Sequence, residues 1–382
     1  MNTYNHCLKH IENIIPKLIF YLPEDKETHI GLPNPFVAPA QKESIFENDQ
    51  FYWDSYFIII GLTEMGETNL AREMTENLAY LCQRFGIIPL RNRYYNLGIS
   101  QPPFFTSMAL EVYEQTKNLP WLAEMAKIAE RELLYWMDKK QIHMVYKGLS
   151  RYCDHWHTHV TTEHESGWDM TSRFFEKCLD FLPIDLNSLL YKYEKDLSFI
   201  YSLLEDNEKS DKYSKAAKER AKTVNQIMYT DGFFFDYDFK NKKTSEFYSL
   251  AGFYPLWAGL ATQEQAELVK KKLPIFECRG GLANTQSSGL SEEFKQWDYP
   301  NGWPNQQWIV IKGLLNYGFR EDAKRLAYKW LELNRKVYEK TGEFWEKYDV
   351  VNLTKGRDGR YPTQKGFGWT DSVFYKLVNS FN

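Results

Sequence analysis

The sequence predicts an all-α protein, an (α/α)6 barrel in which six helical hairpins form a toroid, with small β-hairpin insertions. Three observations predict it. About twelve segments carry helical periodicity, and they tend to alternate between amphipathic and uniformly apolar helices. Strand patterns are confined to two short stretches, 143–149 and 232–239, the second opened by an Asp231-Gly232 turn. No Pro- or Ser-rich linker divides the 382 residues, so a single domain, 1–382, is expected.

In chain order the expected helices are 3–20, 49–65, 68–85, 103–117, 120–138, 186–206, 208–229, 246–259, 262–273, 303–317, 319–339 and 367–381. Pro102 and Pro103 open the fourth, Asp206 and Asn207 precede the seventh, and Thr262 with Glu264 opens the ninth. Segments 68–85, 208–229 and 319–339 place apolar residues at i, i+3 and i+4 against a charged face, the pattern of helices with one side in water. Segments 49–65, 103–117, 246–259 and 303–317 are apolar nearly all round, as buried helices are. Outer and inner helices in alternation are what a ring of helical hairpins writes into a sequence. A solenoid would instead carry a repeated motif, and none is visible.

Composition narrows the function. At 43 % hydrophobic and 16 % aromatic there is material for a large core, and a net charge of -4 without basic runs gives no reason to bind nucleic acid or an anionic membrane. Five scattered cysteines without a CxxC pair read as reduced thiols. The N-terminal stretch, interrupted by Lys17, carries no secretory pattern, and apolar runs such as 57–60 are too short to cross a bilayer. Cytoplasm is the expected location. Phosphate loops, GxGxxG, HExxH and GxSxG motifs are not found.

Six blocks at the starts of apolar helices, or in the loops before them, carry unusual combinations: FYWDSY (51–56), RNRYY leading to SQPPFF (91–105), ESGWDMTSR (165–173), QWDYPNGW (296–303), EFWEKYD (343–349) and GFGWTD (366–371). They hold six of the twelve tryptophans, Trp53, Trp168, Trp297, Trp303, Trp345 and Trp369, most of them beside a carboxylate. An indole covers the C–H face of a sugar while carboxylates and amides grip its hydroxyl edge, so the pattern suits a carbohydrate. Glycoside hydrolysis needs a protonated acid and a second carboxylate. Asp169, between Trp168 and Met170, is placed for a raised pKa, and Glu346, beside Lys347, for staying ionised.

These blocks, in this order, resemble those of glycoside hydrolase family 37, the trehalases, and more distantly the inverting enzymes of family 63. The resemblance spans roughly residues 50 to 375 and is clearest in YWDSYF, SQPPFF, ESGWDMTSRF, QWDYPNGW, EKYDV and GFGWT. It implies an (α/α)6 barrel and an inverting α-glycosidase, with Asp169 as general acid and Glu346 as the base that activates water. Trp53, Asp54, Asn92, Gln101, Trp297, Asp298 and Asn301 stand where the family lines its sugar subsites. Tyr52, Gly167, Trp168, Trp303, Phe367 and Trp369 of the same blocks complete the candidate substrate contacts. A small disaccharide or glucoside is the implied partner, and no cofactor or metal is called for.

Four positions depart from the family. Its PGGRF reads ESIFE (43–47) here, without the arginine. Its arginine before SQPP is Ile99, its PRPE segment is replaced by HWHTH (155–159), and its GGGGEY reads GRDGRY (356–361) with Arg360 for the glutamate. In the family these groups largely grip the second glucose, so the expected enzyme keeps its chemistry but has an altered leaving-group (+1) subsite, and trehalose need not be its best substrate. His155, His157 and His159 alternate, and an extended backbone would put them on one face with Cys153, a spacing open to metal binding, to replacement of lost sugar contacts together with His164, or to a loop of no chemical role. Two other functions use the same features. One is a catalytically weak sugar-binding protein derived from a hydrolase. The other is a sugar epimerase or isomerase on the same barrel, working through His157 or His159 with Asp169 dispensable.

Overall fold

The computed structural model describes residues 3–42, 44–137, 142–287 and 295–381. Glu43 of the departing ESIFE stretch and Asp138 of the expected fifth helix lie outside them. The described chain is mostly helical: α1 (Asn5–Ile14), α2 (Tyr52–Glu64), α3 (Thr68–Phe85), α4 (Phe105–Thr116), α5 (Leu119–Met137), α6 (His159–Ser166), α7 (Ile184–Leu203), α8 (Asn207–Ile227), α9 (Tyr254–Ala258), α10 (Gln263–Lys270), α11 (Pro304–Asn316), α12 (Arg320–Thr341) and α13 (Gly368–Phe381).

The two kinds of helix read from periodicity are present. In α2 every residue except Glu64 is buried, and α11 buries ten residues around its whole girth. In α12 the buried residues form one stripe, Ala323, Leu326, Ala327, Trp330, Leu331, Leu333, Asn334 and Val337, and in α8 they are Tyr213, Ala217, Arg220 and Val224. Helix α2 packs on α4, α4 on α7, α7 on α9, α9 on α11, α11 on α13, and α13 returns to α2. Outside this succession α3 lies on α2 and α4, α5 on α4 and α7, α8 on α7, α12 on α11 and α13, and α1 on α13. The apolar helices therefore contact one another and the amphipathic ones flank them, which is the arrangement that removes most apolar surface from water.

Three expectations are corrected. The first helix stops at Ile14, because Pro16 cannot donate the next hydrogen bond and residues 15–18 tighten into a 3-10 turn. The segment 246–259 is a 3-10 turn, Leu250–Phe253, followed by the short α9. Gly252 in that turn packs so closely on Phe233 that a Cβ would sit 2.3 Å from the ring. Helix α6 had no counterpart among the expected segments, since HVTTEHES has no apolar stripe. Both strand stretches exist: Met144–Tyr146 pairs with Leu149–Ser150, while 232–239 divides between Phe233–Phe234, paired with Tyr229–Thr230, and Tyr237–Asp238, set between Phe181–Leu182 and Lys243–Thr244. No described helix is long and apolar enough to cross a membrane.

Candidate active site

Four of the blocks lie at the N-terminal ends of α2, α4, α11 and α13, and the loops after α6 and α12 bring ESGWD and EFWEKYD to the same cavity. Trp53 and Asp54 occupy the first turn of α2, after an extended Phe51 that bridges to Arg91. The Trp53 amide donates to Gln101 Oε1 at 3.1 Å, joining the SQPP loop to α2. Gly167 ends α6 with φ +74° and passes over the Trp53 indole, where a Cβ would lie 2.6 Å from the ring, so both its conformation and its lack of a side chain are required. Asp169 follows two residues later, its carbonyl held by Gln296 Nε2. On the other side Trp303 caps α11, Trp369 opens α13, and Tyr348–Asp349 forms the middle strand of a small sheet with Asn301–Gly302 and Thr354–Lys355, which sets Glu346 beside them.

Asp169 and Glu346 line the same cavity, of about 410 Å3, together with Trp53, Trp156, Trp297, Trp303 and Trp369. Trp297 and Trp303 stack at 3.9 Å, and Trp53 lies 5.5 Å from Trp297 and 5.9 Å from Trp369. Glu346 is buried. Its Oε2 meets Lys347 Nζ at 2.9 Å and its Oε1 accepts from the Tyr361 hydroxyl at 2.7 Å, so each oxygen has a donor. Asp169 lies in the cavity wall with its side chain partly exposed, and burial raises its pKa to about 6 while Arg360, whose Nη1 reaches Oδ2 at 2.9 Å, lowers it. The same Nη1 lies 2.6 Å from His164 Nε2. A guanidinium has no lone pair, so that imidazole nitrogen accepts, and burial and Arg360 together hold His164 neutral with a pKa near 4. Asp54 is driven up to about 8, first by burial and then by the Glu346 charge.

Of the candidate contacts, Trp53, Asp54, Gln101, Gly167, Trp297, Trp303, Phe367 and Trp369 line the cavity beside Asp169 and Glu346. The other five stand behind it. Tyr52 donates to Glu132, and Asn92 holds Gln50 N, Ile30 O and Asn48 O. Trp168 is buried between Trp297 and the Arg173 guanidinium. Asp298 accepts from Thr171 Oγ1 and Ser172 N, and Asn301 donates to Gln296 O. Asp and Asn in a loop are as suited to holding backbone as to holding a sugar, and a sequence does not separate the two uses. Residues that line the cavity outside the candidate set include Arg91, Asn96, Trp156, His164, Arg360 and Tyr361. All lie in or beside the blocks and departing stretches, which was their only signal.

The three alternating histidines do not all share a face: His155 and His157 line one cavity with Cys153, and His159 lies apart from it. His157 has φ +55°, which breaks the extended run; its Nδ1 faces Cys153 Sγ at 3.7 Å, His155 lies against Trp156, and His159 Nδ1 accepts from Leu179 N at the start of α6. Among the described residues no group of three or more His, Cys, Asp or Glu is arranged to hold a metal ion.

Two carboxyl groups on one tryptophan-walled cavity, on a helical scaffold, are the arrangement expected of a carbohydrate-active enzyme of the glycosidase class. Comparison with known proteins makes this specific: the trehalase family model matches residues 4–161 and 150–382, and the chain belongs to the trehalase family of glycoside hydrolases. It is 34 % identical to the cytosolic neutral trehalase of Beauveria bassiana over 91 % of this chain and 58 % of that protein. It is 30 % identical to the periplasmic trehalase of Escherichia coli over 97 % of this chain and 73 % of that one. The chain thus spans little more than half the fungal relative's length. The structure of neutral trehalase from Saccharomyces cerevisiae superposes with a TM-score of 0.82 at 28 % identity, covering 98 % of this chain and 80 % of that one. A mannosylglycerate hydrolase of Thermus thermophilus shares the fold at TM-score 0.71 and 19 % identity, covering 97 % and 99 %.

Proposed function

We propose that this protein is an inverting α-glycosidase of a small α-glucoside, working as one domain on a closed (α/α)6 toroid whose inner ring is α2, α4, α7, α9, α11 and α13. The observation that carries it is that Asp169 and Glu346 line one cavity walled by indoles. Asp169 gives its proton to the glycosidic oxygen as the bond to the anomeric carbon breaks. Glu346 takes a proton from a water whose oxygen forms the new bond on the opposite face, so the configuration inverts. Trp53, Trp297, Trp303 and Trp369 cover the sugar faces, while Asp54 and Gln101 grip its edge. Asp54 near pH 7 carries its proton and donates a hydrogen bond as well as accepting one.

The leaving-group side differs from that of the trehalases: Ile99, Trp156 and Arg360 line the cavity at or beside the departing positions. A hydroxyl that has lost its donor there costs about 1–3 kcal/mol, so trehalose is a poorer substrate than for a trehalase. Five unpaired cysteines agree with a reducing compartment such as the cytoplasm. Asp169→Asn lowers turnover of oxygen-linked glucosides by roughly 10²- to 10⁴-fold, the range of a general acid, with the circular dichroism spectrum and melting temperature of the parent. Full turnover by this variant sinks the assignment.

A further inference from the structure

Arg360 is the cation whose situation the hydrolytic reading leaves unbalanced. Its guanidinium is roughly half exposed to the cavity, and among the described residues it is held by the Asp169 carboxylate and His164 Nε2. For catalysis Asp169 must hold a proton. An Asp169 that is protonated no longer answers the Arg360 charge, and the remaining neighbour, an accepting neutral imidazole, carries none. The second arginine of the wall adds to the imbalance. Arg91 shares the carboxylate of Asp49 with Arg93, at 2.7 and 2.5 Å, with His29 Nε2 3.3 Å away, so two guanidiniums stand on one anion. The carboxylates lining this cavity are Asp54, Asp169 and Glu346, and Glu346 is already matched by Lys347. A neutral second sugar offers hydroxyls to this wall and no charge.

We propose that the leaving group of the substrate carries an anion, a carboxylate or a phosphate within reach of Arg360, and that Arg360 binds it and thereby releases Asp169 to hold its proton. This rests on the glycosidase reading. In the empty site the Arg360 charge works against the protonated form of Asp169. The substrate anion takes over the guanidinium, the wall that surrounds Asp169 then favours its neutral form, and the proton sits where the departing oxygen needs it. Arg360 thus acts on specificity and, through Asp169, on the acid step, which makes a charged leaving group both the ligand and the trigger.

The test compares kcat/KM on two matched pairs, glucosylglycerate against glucosylglycerol and trehalose 6-phosphate against trehalose, with α-glucosyl fluoride as a substrate whose leaving group needs no proton. The proposal expects at least one charged member to exceed its neutral partner by roughly 10- to 100-fold, the scale of a charge-assisted hydrogen bond. The pair that shows the preference identifies carboxylate or phosphate. In Arg360→Gln the ratio falls to near one, and in Arg360→Lys much of it remains. Fluoride hydrolysis without any preference for a charged partner, or a preference that survives Arg360→Gln, overturns the anion assignment and leaves the glycosidase reading standing. Failure to hydrolyse α-glucosyl fluoride defeats that reading itself, and this inference with it.

Discussion

Asp54 and Asp169 face one cavity and are both raised, for causes that differ in kind. Burial and the Glu346 charge act together on Asp54, whereas Arg360 opposes burial at Asp169. The consequence for stability follows from linkage. A carboxyl lifted to about 8 is protonated in both folded and unfolded chains below the unfolded value, and neutral only in the folded chain above it. Its contribution is therefore most favourable at low pH and is lost as pH rises through the folded value. Asp54→Asn, which cannot ionise, gains melting temperature relative to the parent as pH is raised from 4 to 8, and the difference levels off above that. A difference that is flat across this window, read by differential scanning calorimetry, contradicts the assignment. At this scale the motifs named two carboxylates, Asp169 and Glu346, that line one cavity in the structure. The sequence could not show that Arg360 reaches Asp169, because that pairing joins positions 191 apart through a loop whose path is set by tertiary contacts.

Elements hold the site through buried charge as much as through apolar packing. Arg173, fully buried below Trp168, donates to both oxygens of Asp185 in the first turn of α7 and to both of Asp236, while Asp236 also accepts from Ile184 N. The loop that carries Asp169 is thereby tied to an inner helix and to the 232–239 stretch. Removing the arginine strands two carboxylates away from water, so Arg173→Ala costs at least about 3–5 kcal/mol in urea unfolding; a loss below ~1 kcal/mol would show that the cluster is solvated. Periodicity made the long helices legible, since a stripe or a uniformly apolar run is written directly into α12 or α2. It failed where shape rules over pattern. Gly252 against the Phe233 ring and the five-residue α9 follow from local crowding, and α6 is held by a Thr158 cap and the Gly167 turn without an apolar stripe of its own.

For the whole molecule the organising feature is the succession of inner helices that returns from α13 to α2, the first and last of the series in chain order. If these make one closed domain, residues near both ends of the chain unfold together. Urea unfolding followed by tryptophan fluorescence and by far-UV circular dichroism then gives coincident single transitions; two separated transitions contradict the one-domain reading. The proposed chemistry is a single displacement by water at the anomeric carbon, and the anomer first released from α-glucosyl fluoride reports on it. Proton nuclear magnetic resonance of the earliest product is expected to show β-glucose, with the signal lost in Glu346→Gln. Initial release of α-glucose, or β-glucose formed as fast without the Glu346 carboxylate, contradicts it.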